Sequence, residues 1–219
     1  MNDVTLVITT CDRNKLLKKT LESFFKHNTY PIKKALIIED SGKDVDFSDI
    51  EPLIKCDYEI IKNETNIGQW ASIDKVYSMV ETEWIFHCEE DWLFIDSGFI
   101  EKSFEVFEAC DKRNIKLFTV WGDNLKLKDG KRLLKKIDNF HLLNPHIVLG
   151  GYTLNPGLRR MSDQRKFSPY KQYETNGVDR EVFMAGKYIN DGYYSAYIDD
   201  THFWYHIGYD DHIERDLSR

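Results

Sequence analysis

The amino-acid sequence predicts an α/β fold with a mixed, mostly parallel sheet flanked by helices, in a single domain. Short runs of β-branched and other apolar residues, typical of buried strands, recur along the chain. Amphipathic helical patterns separate these runs, and a helical crossover between two strands allows the strands to pair in parallel. The chain of 219 residues is 42% hydrophobic and 31% charged, which fits one soluble globular domain with a sizeable core.

The first strand–helix–strand unit opens the chain. Residues 4–10 are a β-branched run that predicts a central buried strand. The apolar residues of 16–25 share one helical face, and Asp12 or Asn14 is expected to cap that helix. Residues 35–38 predict a second buried strand, which the helical crossover would place parallel to the first.

Polar residues follow both of these strands. Asp12 and Arg13 come after the first strand, and Glu39 and Asp40 end the second. Open α/β sheets bind ligands in the crevice at the carboxyl ends of their strands, so these positions are candidates for a nucleotide site. The alternative is that they are ordinary turn and cap residues.

A third strand, predicted at 58–61, leads to a glycine-containing turn and a helix at 71–80. Gly68 stands just before this helix. A glycine that opens a helix lets backbone amides approach a phosphate group. The same Asn-Ile-Gly sequence would also serve as plain turn chemistry.

Three consecutive acids follow the next strand, which residues 84–86 predict. Glu89, Glu90 and Asp91 are flanked on both sides by apolar residues. Unpaired buried charges are costly, so this stretch predicts a counter-charge such as a divalent cation; a solvated acidic turn is the alternative. In an extended chain Glu89 and Asp91 would point to one side of the strand and Glu90 to the other.

The second half of the chain is less regular. The patterns predict a helix at 98–110, a strand at 115–121, a hairpin around Asp129-Gly130 with a solvated lysine-rich edge, a loop-rich stretch at 144–173 that includes 157–160, a helix at 178–188 and a strand at 192–198. We expect one domain over 1–219, with a ligand-binding half at 1–110 and a second half at 111–219.

Charge and cysteine content limit the partners and the cellular compartment that we expect for this protein. A net charge of −7 argues against nucleic acid as a partner, because neutralising phosphates needs an excess of Lys and Arg. The four cysteines form no close pair, which favours reduced thiols in a cytoplasmic protein. No apolar run is long enough for a transmembrane segment.

Four segments then stand in a familiar order: Val-Ile-Thr-Thr-Cys-Asp-Arg, Ile-Ile-Glu-Asp-Ser-Gly, Asn-Ile-Gly-Gln and Phe-His-Cys-Glu-Glu-Asp-Trp. Together they resemble the nucleotide-sugar-binding half of GT-A fold glycosyltransferases, close to the family-two inverting enzymes. The resemblance implies a Rossmann-like GT-A sheet and covers the first half of the chain well and the second half loosely. The half at 111–219 would bind the acceptor.

The resemblance implies roles for individual residues. Asp91 would be the leading ligand of Mn²⁺ or Mg²⁺ within a DxD-like element, with Glu89 as a second ligand or a ribose contact. His206 resembles a late histidine that completes the metal site in some of these enzymes; it could equally pack in the aromatic tail. The nucleotide-sugar would be bound by Thr9, Thr10, Asp12, Arg13, Asp40, Gly68, Glu89 and Glu90.

An inverting transfer needs a carboxylate that takes the acceptor proton. The resemblance places this base near a late helix, where Glu174, Asp179 and Glu181 are candidates, the last two fitting the spacing best. Acids in the first helical turn also suit the helix dipole, so each has a structural explanation. Three arginines could add positive charge to the site from a closing loop, or they could form salt bridges within that loop: Arg159, Arg160 and Arg165.

The sequence therefore predicts an inverting, metal-dependent glycosyltransferase. It would move a sugar from a UDP- or GDP-sugar to a glycan or glycoconjugate acceptor. The alternatives are a nucleotidyltransferase and a non-catalytic module that binds nucleotide or carbohydrate. A lipid-linked acceptor would be compatible with a location at the periphery of a membrane.

Overall fold

Eleven strands and five helices occur in residues 2–122, 133–145, 152–199 and 201–208, which a computed structural model describes. The helices are α1 (Asn14–His27), α2 (Gln69–Ser78), α3 (Phe99–Asp111), α4 (Met161–Arg165) and α5 (Arg180–Asn190). The strands are β1 (Val4–Thr10), β2 (Ile32–Glu39), β3 (Asp57–Lys62), β4 (Trp84–Glu89), β5 (Trp92–Phe94), β6 (Lys116–Trp121), β7 (Leu133–Ile137), β8 (Phe140–Leu143), β9 (Gly157–Arg160), β10 (Tyr193–Ile198) and β11 (Trp204–His206).

The central sheet has the strand order β3-β2-β1-β4-β9. Its first four strands run parallel, and β9 adds an antiparallel edge. All seven residues of β1 are buried, as expected for a strand with neighbours on both sides and helices on both faces. This arrangement confirms the predicted α/β fold with a mixed, mostly parallel sheet.

Two smaller sheets complete the described structure. One has the order β6-β10-β8-β7, and the other pairs β5 with β11. The side chain of Thr119 on β6 donates a hydrogen bond to the carbonyl of Leu158 on β9, which links the second sheet to the central one. The pairing of β5 with β11 brings a late part of the chain back to the segment that follows β4.

The core lies on both faces of the central sheet, because alternate strand residues point to opposite sides. On one face Leu6 and Ile8 of β1 join apolar residues of α1 and α3. On the other face Val7 joins Tyr77 of α2 and Tyr188 of α5. Helices therefore cover both faces, and the carboxyl ends of the parallel strands stay free of crossover helices.

The predicted cap of helix α1 was wrong. Arg13, not Asp12 or Asn14, occupies the N-cap position of α1, and no side chain caps that helix. Asp12 adopts a left-handed conformation with φ of 56°, and its N–H donates to the carboxylate of Glu39. Asn14 is already the first helical residue, and its side-chain amide donates to the carbonyl of Asp46.

The region predicted as loop from 144 contains regular structure. Gly157–Arg160 forms strand β9, and the short helix α4 follows it directly. The described hairpin joins β7 to β8 through Asp138, whereas the predicted turn at Asp129-Gly130 lies outside the described residues. The strand β7 is an edge of its sheet and exposes Lys135 and Lys136. In the described ranges, no helix has both the length and the apolar character needed to cross a bilayer.

Candidate active site

The carboxyl ends of β1, β2 and β4 bring the predicted ligand-binding residues to one edge of the sheet. The pairing register sets Thr9 of β1 opposite Glu89 of β4, and Thr10 opposite Glu39 of β2. Residues that leave these three strands are therefore neighbours. Both threonines are buried, and among the described residues the Thr10 hydroxyl has no hydrogen-bond partner.

Arg13 binds two of the three acids. Its Nη1 lies 2.8 Å from Oε1 of Glu90 and 2.8 Å from Oδ2 of Asp91. All three side chains are largely buried, with exposed fractions of 14%, 9% and 7% respectively. The predicted opposite orientation of Glu90 and Asp91 was wrong, because the strand ends at Glu89 and the chain turns over the next two residues.

His206 lies on the same cluster. The pairing of β11 with β5 sets it opposite Trp92, and its Nε2 lies 3.1 Å from Oδ2 of Asp91. Its ring also packs edge-on against Trp92. Gly208, two residues later, is so close to Asp91 and Arg13 that a β-carbon there would collide with both side chains. His206 therefore packs against an aromatic ring, as one interpretation expected, and it also contacts the acid that is the leading ligand candidate.

Burial and contacts shift the pKa values of the three acids in different directions. Burial favours a raised pKa for Asp91, but contacts with His206 and Arg13 outweigh it and leave the pKa below its usual value. Burial and the charge of Asp91 raise the pKa of Glu90 to about 7 despite Arg13. Burial, followed by the charges of Asp91, Glu90 and Glu181, raises the pKa of Glu89 well above its usual value. Asp91 therefore carries the negative charge of the cluster most firmly.

The donor atoms around Asp91 partly fit the predicted Mn²⁺ or Mg²⁺. Its Oδ1 is buried and has no hydrogen-bond partner in the part of the chain that the structure describes. A carboxylate oxygen beside an imidazole nitrogen is a donor set that suits Mn²⁺ in particular. In the described ranges, however, no three His, Cys, Asp or Glu side chains are grouped as a metal site. The guanidinium of Arg13 occupies the position between Glu90 and Asp91.

Asp40 holds the turn before α2. Its Oδ1 accepts hydrogen bonds from the side chain of Asn63 at 2.8 Å and from the backbone N–H of Ile67 at 2.9 Å. The turn ends at Gly68, which is the N-cap of α2 with φ of 86°, a conformation that disfavours side chains with a β-carbon. The predicted helix start is thus confirmed, and it lies at the same edge of the sheet as the acids.

Glu39, one of the candidate positions at the ends of the predicted strands, acts through backbone groups. Its carboxylate accepts hydrogen bonds from the backbone N–H groups of Asp12 and Ser41. It is almost fully buried and fixes both turns that flank the cluster. The Asp12 side chain itself faces outward and pairs with Lys43. The position of Glu39 at a strand end was visible in the sequence, but its role as an acceptor for backbone amides was not.

Glu89 faces a different direction from Asp91. Its Oε1 accepts a hydrogen bond from the side-chain amide of Gln69, the first residue of α2, at 2.7 Å. The negative charge of Glu181 on α5 contributes to the raised pKa of Glu89. Gln69 was missed as a site residue, although it stands next to Gly68 in the sequence.

The three candidates for the base occupy different surroundings. Glu181 is half-buried, and its Oε1 accepts a hydrogen bond from the backbone N–H of Leu154 at 2.7 Å. Asp179 is the N-cap of α5, and its carboxylate accepts from the N–H groups of Glu181 and Val182. Glu174 is exposed. The charge of Glu181 also contributes to the raised pKa of Glu89 on β4.

The three arginines expected on a closing loop have other positions. Arg159 is fully buried in β9. Arg160 pairs with Asp111 at 2.7 Å, and Arg165 donates to the carbonyl of Val80, two residues after the end of α2. The expectation of a closing loop was wrong for Arg159 and Arg160 because residues 157–160 form a strand, and Arg160 instead makes a salt bridge, as the alternative expected.

Comparisons with known proteins agree on the fold. Neither protein-family models nor curated proteins give a match. Among solved structures, S. aureus TarS residues 1–349 in complex with UDP-GlcNAc gives a TM-score of 0.61 at 14% identity, covering 93% of this chain and 58% of that one. The mannosyltransferase PcManGT from Pyrobaculum calidifontis, in complex with GDP-Man and Mn²⁺, gives 0.62 at 10% identity, covering 89% and 56%.

These similarities concern architecture. The chain spans 36% of the longer TarS structure and somewhat more than half of the other two. Together with the sheet order and the helices on both faces, they show that this protein has the α/β fold of GT-A-like glycosyltransferases. The predicted fold resemblance is thereby confirmed.

Proposed function

We propose that this protein is an inverting, nucleotide-sugar-dependent glycosyltransferase. It transfers a sugar from a UDP- or GDP-sugar to a hydroxyl group of a glycan or glycoconjugate. The observation that carries the proposal is the buried acid cluster at the carboxyl ends of β1 and β4, which lies on the α/β fold of GT-A-like glycosyltransferases. Solved structures of similar fold contain UDP-GlcNAc and GDP-Man, which supports this donor class.

The nucleotide-sugar would bind along the edge formed by β1, β2 and the start of α2. Thr9, Thr10 and Asp12 line the end of β1, and the unpaired hydroxyl of Thr10 would find its partner in the nucleotide. Asp40 and Gly68 shape the opposite wall, where backbone N–H groups at the start of α2 favour a negatively charged ligand. The residues at 1–110 supply most of this donor site, and those at 111–219 add His206 and the acceptor side.

The acid cluster would hold the positive charge that stabilises the leaving diphosphate. Asp91 and His206 would hold a divalent ion, and that ion would supply positive charge to the diphosphate as the bond to the sugar breaks. Arg13 contributes a permanent positive charge at the same place, and its Nε and Nη2 have no partner among the described residues. Glu89 and Glu90 complete the DxD-like element, and Glu89, held by Gln69, faces the donor sugar or ribose.

Glu181 would act as the general base. The acceptor oxygen attacks the anomeric carbon of the sugar and forms the new bond. The bond to the diphosphate breaks, its electron pair leaves with the diphosphate, and the acceptor proton passes to Glu181. Asp179 caps α5 and Glu174 is exposed, so both fit a supporting position on the acceptor side better than a catalytic one.

The four cysteines support a reducing setting. Cys11, Cys56, Cys88 and Cys110 are all unpaired, and the last two are buried. We therefore place the enzyme in the cytoplasm, with acceptors that reach it there, lipid-linked glycans at a membrane surface included.

A thermal-shift experiment tests the donor and metal assignments together. We expect UDP or GDP at about 100 times its dissociation constant, with Mn²⁺, to raise the melting temperature by roughly 5–10 °C, since a ligand of the native state stabilises by mass action. Asp91→Asn should abolish the shift, and Asp49→Asn, an acid that is 87% exposed, should keep it.

Each result carries a distinct meaning. A nucleotide shift that is independent of Mn²⁺ would contradict the metal assignment and leave the donor assignment intact. The absence of a shift with either nucleotide would contradict the donor assignment and favour a module that binds only carbohydrate.

A further inference from the structure

Arg159 of strand β9 is fully buried. Its side chain is inaccessible to solvent, and in the part of the chain that the structure describes no carboxylate pairs with it. Isolated buried charges are costly and are usually paired or fully hydrogen-bonded. A charge of this kind therefore needs a specific set of acceptors to be retained in the fold.

The guanidinium of Arg159 finds its acceptors in three neutral groups. Its Nη1 donates to the hydroxyl of Tyr77 at 3.0 Å. Its Nη2 donates to the backbone carbonyls of Thr153 at 2.6 Å and Asn155 at 3.0 Å. The guanidinium thus links two carbonyls of one short segment, Thr153 to Asn155, to the side chain of Tyr77 on α2.

That segment in turn holds Glu181. The residue between the two carbonyls is Leu154, and its backbone N–H donates to Oε1 of Glu181 at 2.7 Å. The carbonyls on each side of Leu154 point to Arg159 while its N–H points to the carboxylate. The orientation of this N–H, and with it the direction of the Glu181 side chain, depends on the two bonds from Arg159.

The other end of the network reaches the acid strand. Since Arg159 is the donor to Tyr77, the tyrosine hydroxyl can donate to Nδ1 of His87, which lies 3.0 Å away. His87 is buried on β4, two residues before Glu89, and thus on the same side of the strand. The positive charge of Arg159 also acts on Glu89 and favours its ionised form.

We propose that Arg159 is a positioning residue that aims the carboxylate of Glu181 at the acceptor through the segment Thr153–Asn155, and that this network ties the direction of Glu181 to strand β4. This inference rests on the proposed function, because it needs Glu181 to be the base. Arg159 touches neither substrate: it is buried, and its effect passes through backbone groups.

A double-mutant cycle tests this role. The reaction measured is the release of UDP from UDP-GlcNAc or GDP from GDP-mannose, with water in the place of the acceptor hydroxyl. Arg159→Lys keeps the charge but has a single nitrogen, which cannot bind the two carbonyls and the Tyr77 hydroxyl with the geometry of the two guanidinium nitrogens. We expect the turnover at saturating donor to fall about 10-fold or more, because small misplacements of a catalytic group are costly. The dissociation constant for UDP or GDP should not change.

The decisive arm repeats the substitution in a Glu181→Gln background. If Arg159 acts through Glu181, Arg159→Lys should then cost less than about 2-fold, because a group that is already removed cannot be mispositioned. An equal loss in both backgrounds would overturn the proposal and assign Arg159 a general structural role. Arg160→Lys, the neighbouring surface-directed arginine that pairs with Asp111, should leave turnover unchanged in both backgrounds.

A second variant covers the case in which Arg159→Lys fails to fold. Tyr77→Phe removes one of the three acceptors and leaves the two carbonyl bonds in place. We expect a smaller loss of turnover with the same dependence on Glu181, and a loss independent of Glu181 would contradict the proposal. If Glu181→Gln alone has no effect on turnover, the base assignment fails, and that outcome is distinct from a failure of the Arg159 role.

Discussion

The positive charges of Arg13 and Arg159, two largely buried arginines near the site, are stabilised by different kinds of partner. Arg13 pairs with the carboxylates of Glu90 and Asp91, whereas Arg159 binds two backbone carbonyls and a tyrosine hydroxyl. The first set of partners consists of charges that can take up protons or bind another cation. The second set consists of neutral groups that cannot change.

This difference separates a pocket that can respond to a ligand from one that is fixed. The interaction of Arg13 with its acids can be exchanged for a cation or a phosphate, and two of its nitrogen atoms have no partner among the described residues. Arg159 has no such freedom, because moving it would leave buried carbonyls unsatisfied. We therefore assign donor binding to the responsive pocket and orientation of the base to the fixed one.

The largest expected effect is on turnover, and it distinguishes the residue that acts as base from the residues that bind the donor. Glu181→Gln should lower the turnover of UDP-GlcNAc or GDP-mannose by about 10²–10⁴-fold, the usual contribution of a general base, and leave nucleotide binding intact. Asp91→Asn should lower turnover and nucleotide binding together. The measurement is nucleotide release at saturating donor beside the dissociation constant from thermal shift.

Glu174→Gln is the control for this prediction, since Glu174 is exposed and makes no catalytic contact in our proposal. Turnover that survives in Glu181→Gln and is lost in Glu174→Gln would transfer the role of base to Glu174.

The next effect compares the arginines by stability. Arg13→Met should destabilise the fold by about 3–5 kcal/mol near neutral pH, because it leaves a buried carboxylate pair without its cation. Arg159→Met should cost less, about 1–3 kcal/mol, because it leaves only neutral acceptors unpaired. Urea unfolding of the two variants measures both values, and a larger loss for Arg159→Met would contradict the distinction drawn here.

A third prediction uses pH to single out the responsive pocket. The pKa of Glu90, raised from 4.5 to about 7 by burial and by Asp91, means that the folded state holds this proton more tightly than the unfolded chain. The contribution of Glu90 to stability is therefore present at low pH and falls as the pH rises from about 4.5 to about 7. Asp91, with a lowered pKa, contributes in the opposite sense: its stabilisation is present above its unfolded pKa and is lost as the pH falls.

Glu90→Gln should remove the first of these two slopes. We expect the variant to gain about 1–3 kcal/mol relative to the native protein between pH 4.5 and pH 7, as measured by urea unfolding across that range. A native profile that rises from pH 4.5 to pH 7 as steeply as that of Glu90→Gln would show that Glu90 does not hold its proton.

The smallest effect concerns two glycines. Gly208→Ala places a β-carbon against Asp91 and Arg13 and should weaken the nucleotide-dependent thermal shift. Gly186→Ala lies in the interior of α5, where nothing stands within 4 Å of the new carbon, and should stabilise the protein by about 0.5–1 kcal/mol. A nucleotide shift of full size in Gly208→Ala would show that the close approach at Gly208 is not needed for binding.

Most elements of the proposed donor-binding site could be predicted from the sequence. The strands at 4–10 and 35–38, the glycine before α2 and the acids after β4 were all predicted, because each depends on local patterns of apolar, turn and charged residues. The direction of the acids was not, because it depends on a turn at Glu90 that an extended-chain argument cannot contain. The buried strand β9 was also missed, since Gly-Leu-Arg-Arg has the composition of a loop and only its partner β4 makes it a strand.

The return of the chain at β11 has a consequence for biosynthesis. Trp204 pairs with Phe94, and this contact delivers His206 and Gly208 to an acid cluster made by residues that leave the ribosome much earlier. A nascent chain that has completed only its first half lacks one wall of the pocket. The growing polypeptide should therefore stay unable to capture nucleotide until residues 204–208 have emerged and docked.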